Sequence, residues 1–239
     1  MSALIPTQIN NSIDFTAGVL LLINKPLEWT SFDVVKKIRN LITEKTNIKK
    51  IKVGHAGTLD PLATGLLIIC TGKLTKQINT IQNQEKQYIG EISLGACTPS
   101  FDRETKISNT FSIKHINRKL LHDTTKKFTG EIWQKPPIFS ALKKKGERFY
   151  NLARNKEEIE ISKRKVFIRH FEIIDIEMPK ISFKISCSKG TYIRSLANDY
   201  GQALNSFGYL SKLCRTKIGD YDLNKAMEIE DFAGKINLL

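Results

Sequence analysis

The fourteen residues Gly54-His-Ala-Gly-Thr-Leu-Asp-Pro-Leu-Ala-Thr-Gly-Leu-Leu67 constrain this chain more than any other stretch. They set Gly54, Gly57, Pro61 and Gly65 around one carboxylate, Asp60, and run into the apolar segment Leu66–Cys70. Glycine allows positive φ and close approach, and proline pre-sets a turn, so the stretch reads as a shaped loop feeding a buried strand. A carboxylate held this way can serve as a nucleophile or a general base. It can equally be an ordinary Asp-Pro turn, and the local residues leave both readings open.

The rest of the chain reads as strands interspersed with helices. Gly18–Asn24 is an apolar run halted at Lys25-Pro26, the pattern of a buried strand. Thr30-Ser31-Phe32-Asp33 predicts a capping box, opening a helix to about Ile42 with Val34, Val35, Ile38, Leu41 and Ile42 on its buried face. Tyr88, Gly90, Ile92 and Leu94 alternate with Ile89, Glu91 and Ser93, as a half-buried strand does. Helices are expected over Ile116–Phe128 and Gly146–Asn155, and Gln134-Lys135-Pro136-Pro137 must be extended or a turn. Strands are expected over Val166–Glu177 and Ile181–Cys187. A last helix starts at Gly190-Thr191, with Ile193, Leu196, Ala197, Tyr200 and Leu204 as its stripe. Without a regular strand–helix–strand alternation, the expected class is α+β with a mixed, mostly antiparallel sheet flanked by helices.

Composition narrows the function classes. The 239 residues, 41% hydrophobic, suffice for a large core. Thirty-eight Lys and Arg against 24 Asp and Glu leave a net charge of +14, concentrated in Lys49-Lys50-Ile51-Lys52, Lys143-Lys144-Lys145 and Lys163-Arg164-Lys165. Such charge favours a polyanion through counterion release, although a solvated basic surface has the same composition. Cys70, Cys97, Cys187 and Cys214 lie far apart beside apolar runs, which reads as buried, reduced thiols. The four histidines lack metal-ligand spacing, so no metal is expected. Thr71-Gly72-Lys73 does not complete a phosphate loop, because Gly65 lies too far upstream and Leu74 follows the lysine. No segment approaches the roughly 20 apolar residues of a membrane span, and the N-terminus has no secretory pattern, so a cytoplasmic protein is expected.

The Gly54–Leu67 stretch resembles the catalytic motif of the TruB family of tRNA pseudouridine synthases, departing from its commonest residues only at Ala56. Further segments are similar to the family in its order. They are Lys86-Gln87-Tyr88, Gln134 through Lys143 and on to Ala153-Arg154, Cys187 through Leu196, and Leu210–Gly219. The resemblance covers about Gly18 to Ala226. It implies the pseudouridine synthase catalytic fold, no cofactor, and the T-loop uridine of tRNA as substrate. Asp60 is implied as the catalytic carboxylate, Tyr88 as the group facing the target base, and Arg194 as the cation that pairs with Asp60. His55 and Leu213 are implied to contact RNA and base, with Lys25, Lys76 and Arg215 at basic RNA-contacting positions.

Cys214 and Tyr209 depart from the family, which favours arginine and histidine there. The chain is expected to be a single catalytic domain, residues 18–226 after an N-terminal extension, without the C-terminal RNA-binding domain of longer members, and monomeric. Two other classes fit the charge. An RNA-folding module with lost catalysis has no need of Asp60, Tyr88 and Arg194 together, and a ribosomal structural protein would carry extended basic tails.

Overall fold

The computed structural model describes residues 13–139, 143–144, 147–148 and 161–238. The chain divides into two compact units, Met1–Tyr88 with Cys214–Leu239, and Ile89–Leu213.

The first unit is built on β1 (Leu20–Lys25), β2 (Val53–His55) and β3 (Ala63–Thr71). β1 and β3 pair antiparallel from Leu20↔Cys70 to Lys25↔Gly65, and β2 pairs along the end of β3. Both central strands read as continuous apolar runs because both faces are covered. Leu21, Ile23, Leu67 and Ile69 pack on one side against α1 (Ser31–Thr46) and, near the C-terminus, a helix over Ile229–Asn237. Leu20, Leu22, Leu66 and Ile68 face the other way, onto Ala56, Ile81 and Ile218.

α1 buries Val34, Val35, Ile38, Leu41 and Ile42, the stripe its spacing predicts. Its capping box is complete: Thr30 Oγ1 accepts from Asp33 N at 3.0 Å, and the Asp33 carboxylate accepts from Thr30 N at 2.9 Å. A cap of this kind is worth about 1 kcal/mol. The helix ends at Asn47, whose φ of 56° is left-handed. A short helix, α2 (Ile78–Gln82), follows the 3₁₀ turn Gly72–Gln77. The helix Ile229–Asn237 was not among the expected elements; its first-turn acids, Glu230 and Asp231, complement the helix dipole.

β4 (Lys86–Leu94) runs from the first unit into the second. There β5 (Ala96–Cys97) and β6 (Asn109–Thr110) form a small hairpin. α3 (Arg118–Lys127) and β7 (Gly130–Gln134) follow. β8 (Lys143–Lys144) pairs with β9 (Glu147–Arg148), so strand replaces part of the helix expected over Gly146–Asn155; the rest of that expectation lies outside the described residues. β10 (Arg164–Glu177) pairs antiparallel with both β7 and β11 (Lys180–Cys187). α4 (Ile193–Ala203) buries Ile193, Leu196, Ala197 and Tyr200 as expected. Tyr200 anchors it: the hydroxyl donates to Leu121 O at 2.8 Å, and the ring meets Phe171 edge-on at 5.3 Å.

β12 (Gly208–Ile218) returns to the first unit, turns into β13 (Tyr221–Asp222), and leads to the final helix, α5 (Ile229–Asn237). The pairs β1–β3, β2–β3, β5–β6, β7–β10, β8–β9, β10–β11 and β12–β13 are antiparallel, and Ile23 bridges Met227 in parallel. The class is therefore α+β with a mixed, mostly antiparallel sheet. No helix among the described residues is long and apolar enough to cross a membrane. Cys70 and Cys187 are buried, whereas Cys97 and Cys214 are partly exposed, so burial of all four thiols does not hold.

Candidate active site

Asp60 occupies the loop between β2 and β3, partly open to solvent. The backbone turns tightly just after it, with Ala63 N donating to Asp60 O at 3.0 Å across Pro61. Ala56 N closes the loop's other end on Ile68 O at 2.9 Å. Gly57 and Gly65 both have φ of +102°, a region that disfavours any side chain. At Gly65 a Cβ would also lie 2.4 Å from Arg215 O, so only glycine lets β3 approach β12 this closely.

Three side chains from elsewhere in this unit pin the loop. Ser31 Oγ, at the start of α1, donates to Leu59 O at 3.1 Å and accepts from Leu59 N at 2.9 Å. Lys25 Nζ donates to Trp29 O at 2.6 Å, Pro26 O at 2.7 Å and Pro61 O at 3.3 Å. Arg215 donates to Leu66 O at 2.8 Å, Gly57 O at 3.0 Å and Thr58 O at 3.4 Å. Carbonyls so bound cannot drift, and the residue between them is held in turn.

These contacts correct two expectations. Lys25 and Arg215, read as RNA-contacting cations, are 0% and 1% exposed, and their donors are spent on backbone carbonyls. Each is a brace of the Asp60 loop. Burial costs Lys25 part of its charge preference and pulls its pKa down to about 8; the nearby Asp60 carboxylate opposes that pull and Arg215 adds to it. His55 ends β2 beside the loop. Burial, and then the Arg215 charge, hold its pKa below the ordinary value, so the imidazole is neutral at pH 7. Tyr88 is buried on β4, on the face shared with Lys86 and Gly90. Lys76 is exposed on the 3₁₀ turn, free to meet a solvent-side anion.

Arg194 and Leu213 belong to the second unit. Leu213 is a partly exposed apolar side chain of β12. Arg194 lies in the first turn of α4, only 4% exposed. It donates to Phe139 O at 2.8 Å and Ser100 O at 3.2 Å, and its Nε lies 3.5 Å from the Asp102 carboxylate. A buried guanidinium needs such an anion, since an unpaired charge there is strongly destabilising. Asp102 and Ser31 were both missed in the sequence. Asp102 stands among loop acids with no pattern to separate it, and Ser31 sat inside the capping box without a signal of its second role.

The family described as TruB family pseudouridylate synthase (N terminal domain) matches residues 44–193. "tRNA pseudouridine synthase B" of Flavobacterium johnsoniae is 56% identical, over 92% of this chain and 96% of that one. The protein of the same name from Phocaeicola vulgatus is 50% identical, over 92% and 94%. Among solved structures, a chain in a crystal structure of a Cbf5-Nop10-Gar1 complex superposes with a TM-score of 0.68 at 25% identity. That match covers 92% of this chain and 54% of the solved one, so this chain spans about half its length.

Proposed function

The chain belongs to the TruB family of pseudouridylate synthases, and on that premise we propose that it isomerises the T-loop uridine of tRNA, position 55, with Asp60 as the catalytic carboxylate. The reaction breaks the N1–C1′ bond, rotates the detached base and forms a C5–C1′ bond. The proton lost from C5 is balanced by one gained at N1. Asp60 starts it by adding to C1′ or C6, or by removing a proton so that the base leaves through a glycal.

The observation that carries this reading is the bracing of the Asp60 loop by Ser31, Lys25 and Arg215. A carboxylate with its backbone fixed on both sides can meet a flipped nucleotide without first being ordered. In this proposal Tyr88 faces the base and Arg194 is the cation that pairs with Asp60. Leu213 and the neutral His55 line the flipped nucleotide, and Lys76 meets phosphate. Extracting a base from its stack costs a few kcal/mol, offset by phosphate contacts to a chain of net charge +14. The protein acts as a monomer.

The test incubates unmodified tRNA with wild type and with Asp60→Asn, then maps pseudouridine by chemical sequencing and measures binding. Product from wild type alone, with binding kept in the variant, is the expected result. No T-loop product from wild type overturns the proposal.

A further inference from the structure

The second unit carries a pocket of about 510 Å³ that none of Asp60, Tyr88, Arg194 or Leu213 lines. Its size is ordinary for a small-ligand site, which spans roughly 300–1,000 Å³. Phe101, Phe128 and Trp133 provide aromatic surface, and Lys135 and Lys163 lie on its wall. Trp133 is 61% exposed, an uncommon setting for an indole, with Lys165 Nζ at 5.5 Å from its ring. Aromatic faces beside lysines suit an unpaired nucleobase and its phosphate.

The polar groups narrow the choice of base. Asn198, Asp199 and Gln202 enter from α4. Asp199 accepts from Asn198 Nδ2 at 3.1 Å, which leaves most of the carboxylate's acceptor sites open. Burial raises its pKa and Lys163 opposes that shift, as expected for a carboxylate at a half-desolvated wall. Guanine alone among the RNA bases offers two adjacent N–H donors, N1 and N2, on its Watson–Crick edge. Adenine and cytosine present one amino group beside an acceptor, and uracil an imino group between two carbonyls that a carboxylate repels.

We propose that this pocket is a second base-binding site, which takes an unpaired guanine of the bound RNA with Asp199 accepting from N1 and N2. The proposal rests on the RNA-substrate reading above. Its walls are also the segments that cage Arg194. Phe101 lies between Ser100 and Asp102, both of which contact Arg194, and Ile138 precedes Phe139, whose carbonyl accepts from it. Lys135 O accepts from Ser195 Oγ at 2.7 Å, the residue after Arg194. A seated guanine therefore tightens the cage around the arginine.

The experiment measures binding, without turnover, of unmodified tRNA in which inosine replaces each unpaired guanosine in turn. Inosine lacks only the N2 amino group. The expected result is one position where inosine weakens wild type by about tenfold, the size of a hydrogen bond to a charged group, and has no effect on Asp199→Asn. Trp133→Ala, at an exposed position, then weakens unsubstituted tRNA. Inosine effects equal in wild type and Asp199→Asn at every position overturn the proposal. Calorimetry with GMP, AMP, CMP and UMP separates the source: GMP binding lost in Asp199→Asn, without any coupled position in the RNA, makes a free nucleotide the ligand and also overturns it. Since turnover is not read, failure of the catalytic proposal leaves this result interpretable.

Discussion

Ser31 and Leu59 close a two-bond clasp, with the serine Oγ accepting from Leu59 N at 2.9 Å and donating to Leu59 O at 3.1 Å. The clasp ties the first residue of α1 to the residue before Asp60, so the start of the helix and the Asp60 loop are held together. Ser31→Ala leaves a buried N–H and C=O without this partner, at an expected cost of about 1–3 kcal/mol. Thermal unfolding checks the stability, and single-turnover kinetics should show a slower chemical step with tRNA affinity little changed. Wild-type rates in the variant would remove Ser31 from the site's support.

Gly65→Ala is the sharpest test of how closely β3 meets β12. The new Cβ lies 2.4 Å from Arg215 O and 2.7 Å from Arg215 N, at a φ of +102°. Both obstacles are backbone, and neither can rotate away. The expected loss is about 2–4 kcal/mol, read by denaturant unfolding. A loss below half a kcal/mol would show that the strands have room to part.

Lys25 gives a pH signature. Its folded pKa of about 8 lies below the ordinary 10.5. Between those values the unfolded chain binds a proton that the folded chain has released, so this residue makes stability rise with pH across that window. Its burden on the fold is fully present below pH 8. Unfolding of wild type and Lys25→Met from pH 7 to 10.5 should converge on a smaller slope in the variant. Parallel curves would contradict the buried charge.

Lys76 and Arg215 should separate cleanly. Lys76→Ala, on an exposed turn, is expected to lower the salt dependence of tRNA binding by about one charge and to leave folding intact. Arg215→Met removes the donors to Leu66, Gly57 and Thr58, and is expected to destabilise the fold with no such change in salt slope. The reverse pattern would restore Arg215 to the RNA surface.

Much of the fold was legible because its signals are local. The α1 stripe, its capping box, the Ile181–Cys187 alternation and the α4 stripe all follow from period and cap chemistry within one element. α5 was not, since a nine-residue amphipathic helix carries a short signal that its acidic first turn obscured. β12 passed as a motif because its half-exposed residues follow no clean alternation.

The same division runs through the site. The sequence alone determined that Asp60 sits in a glycine-proline loop before a buried strand, because turn chemistry and apolar runs are written in consecutive residues. Only the tertiary structure decided which cations face solvent and which brace that loop. Lys25, Lys76 and Arg215 are indistinguishable as charges in a sequence, yet Arg215 reaches a carbonyl 149 residues away. Burial is a property of what the fold brings around a side chain, and a buried cation turns to the carbonyls that replace its water.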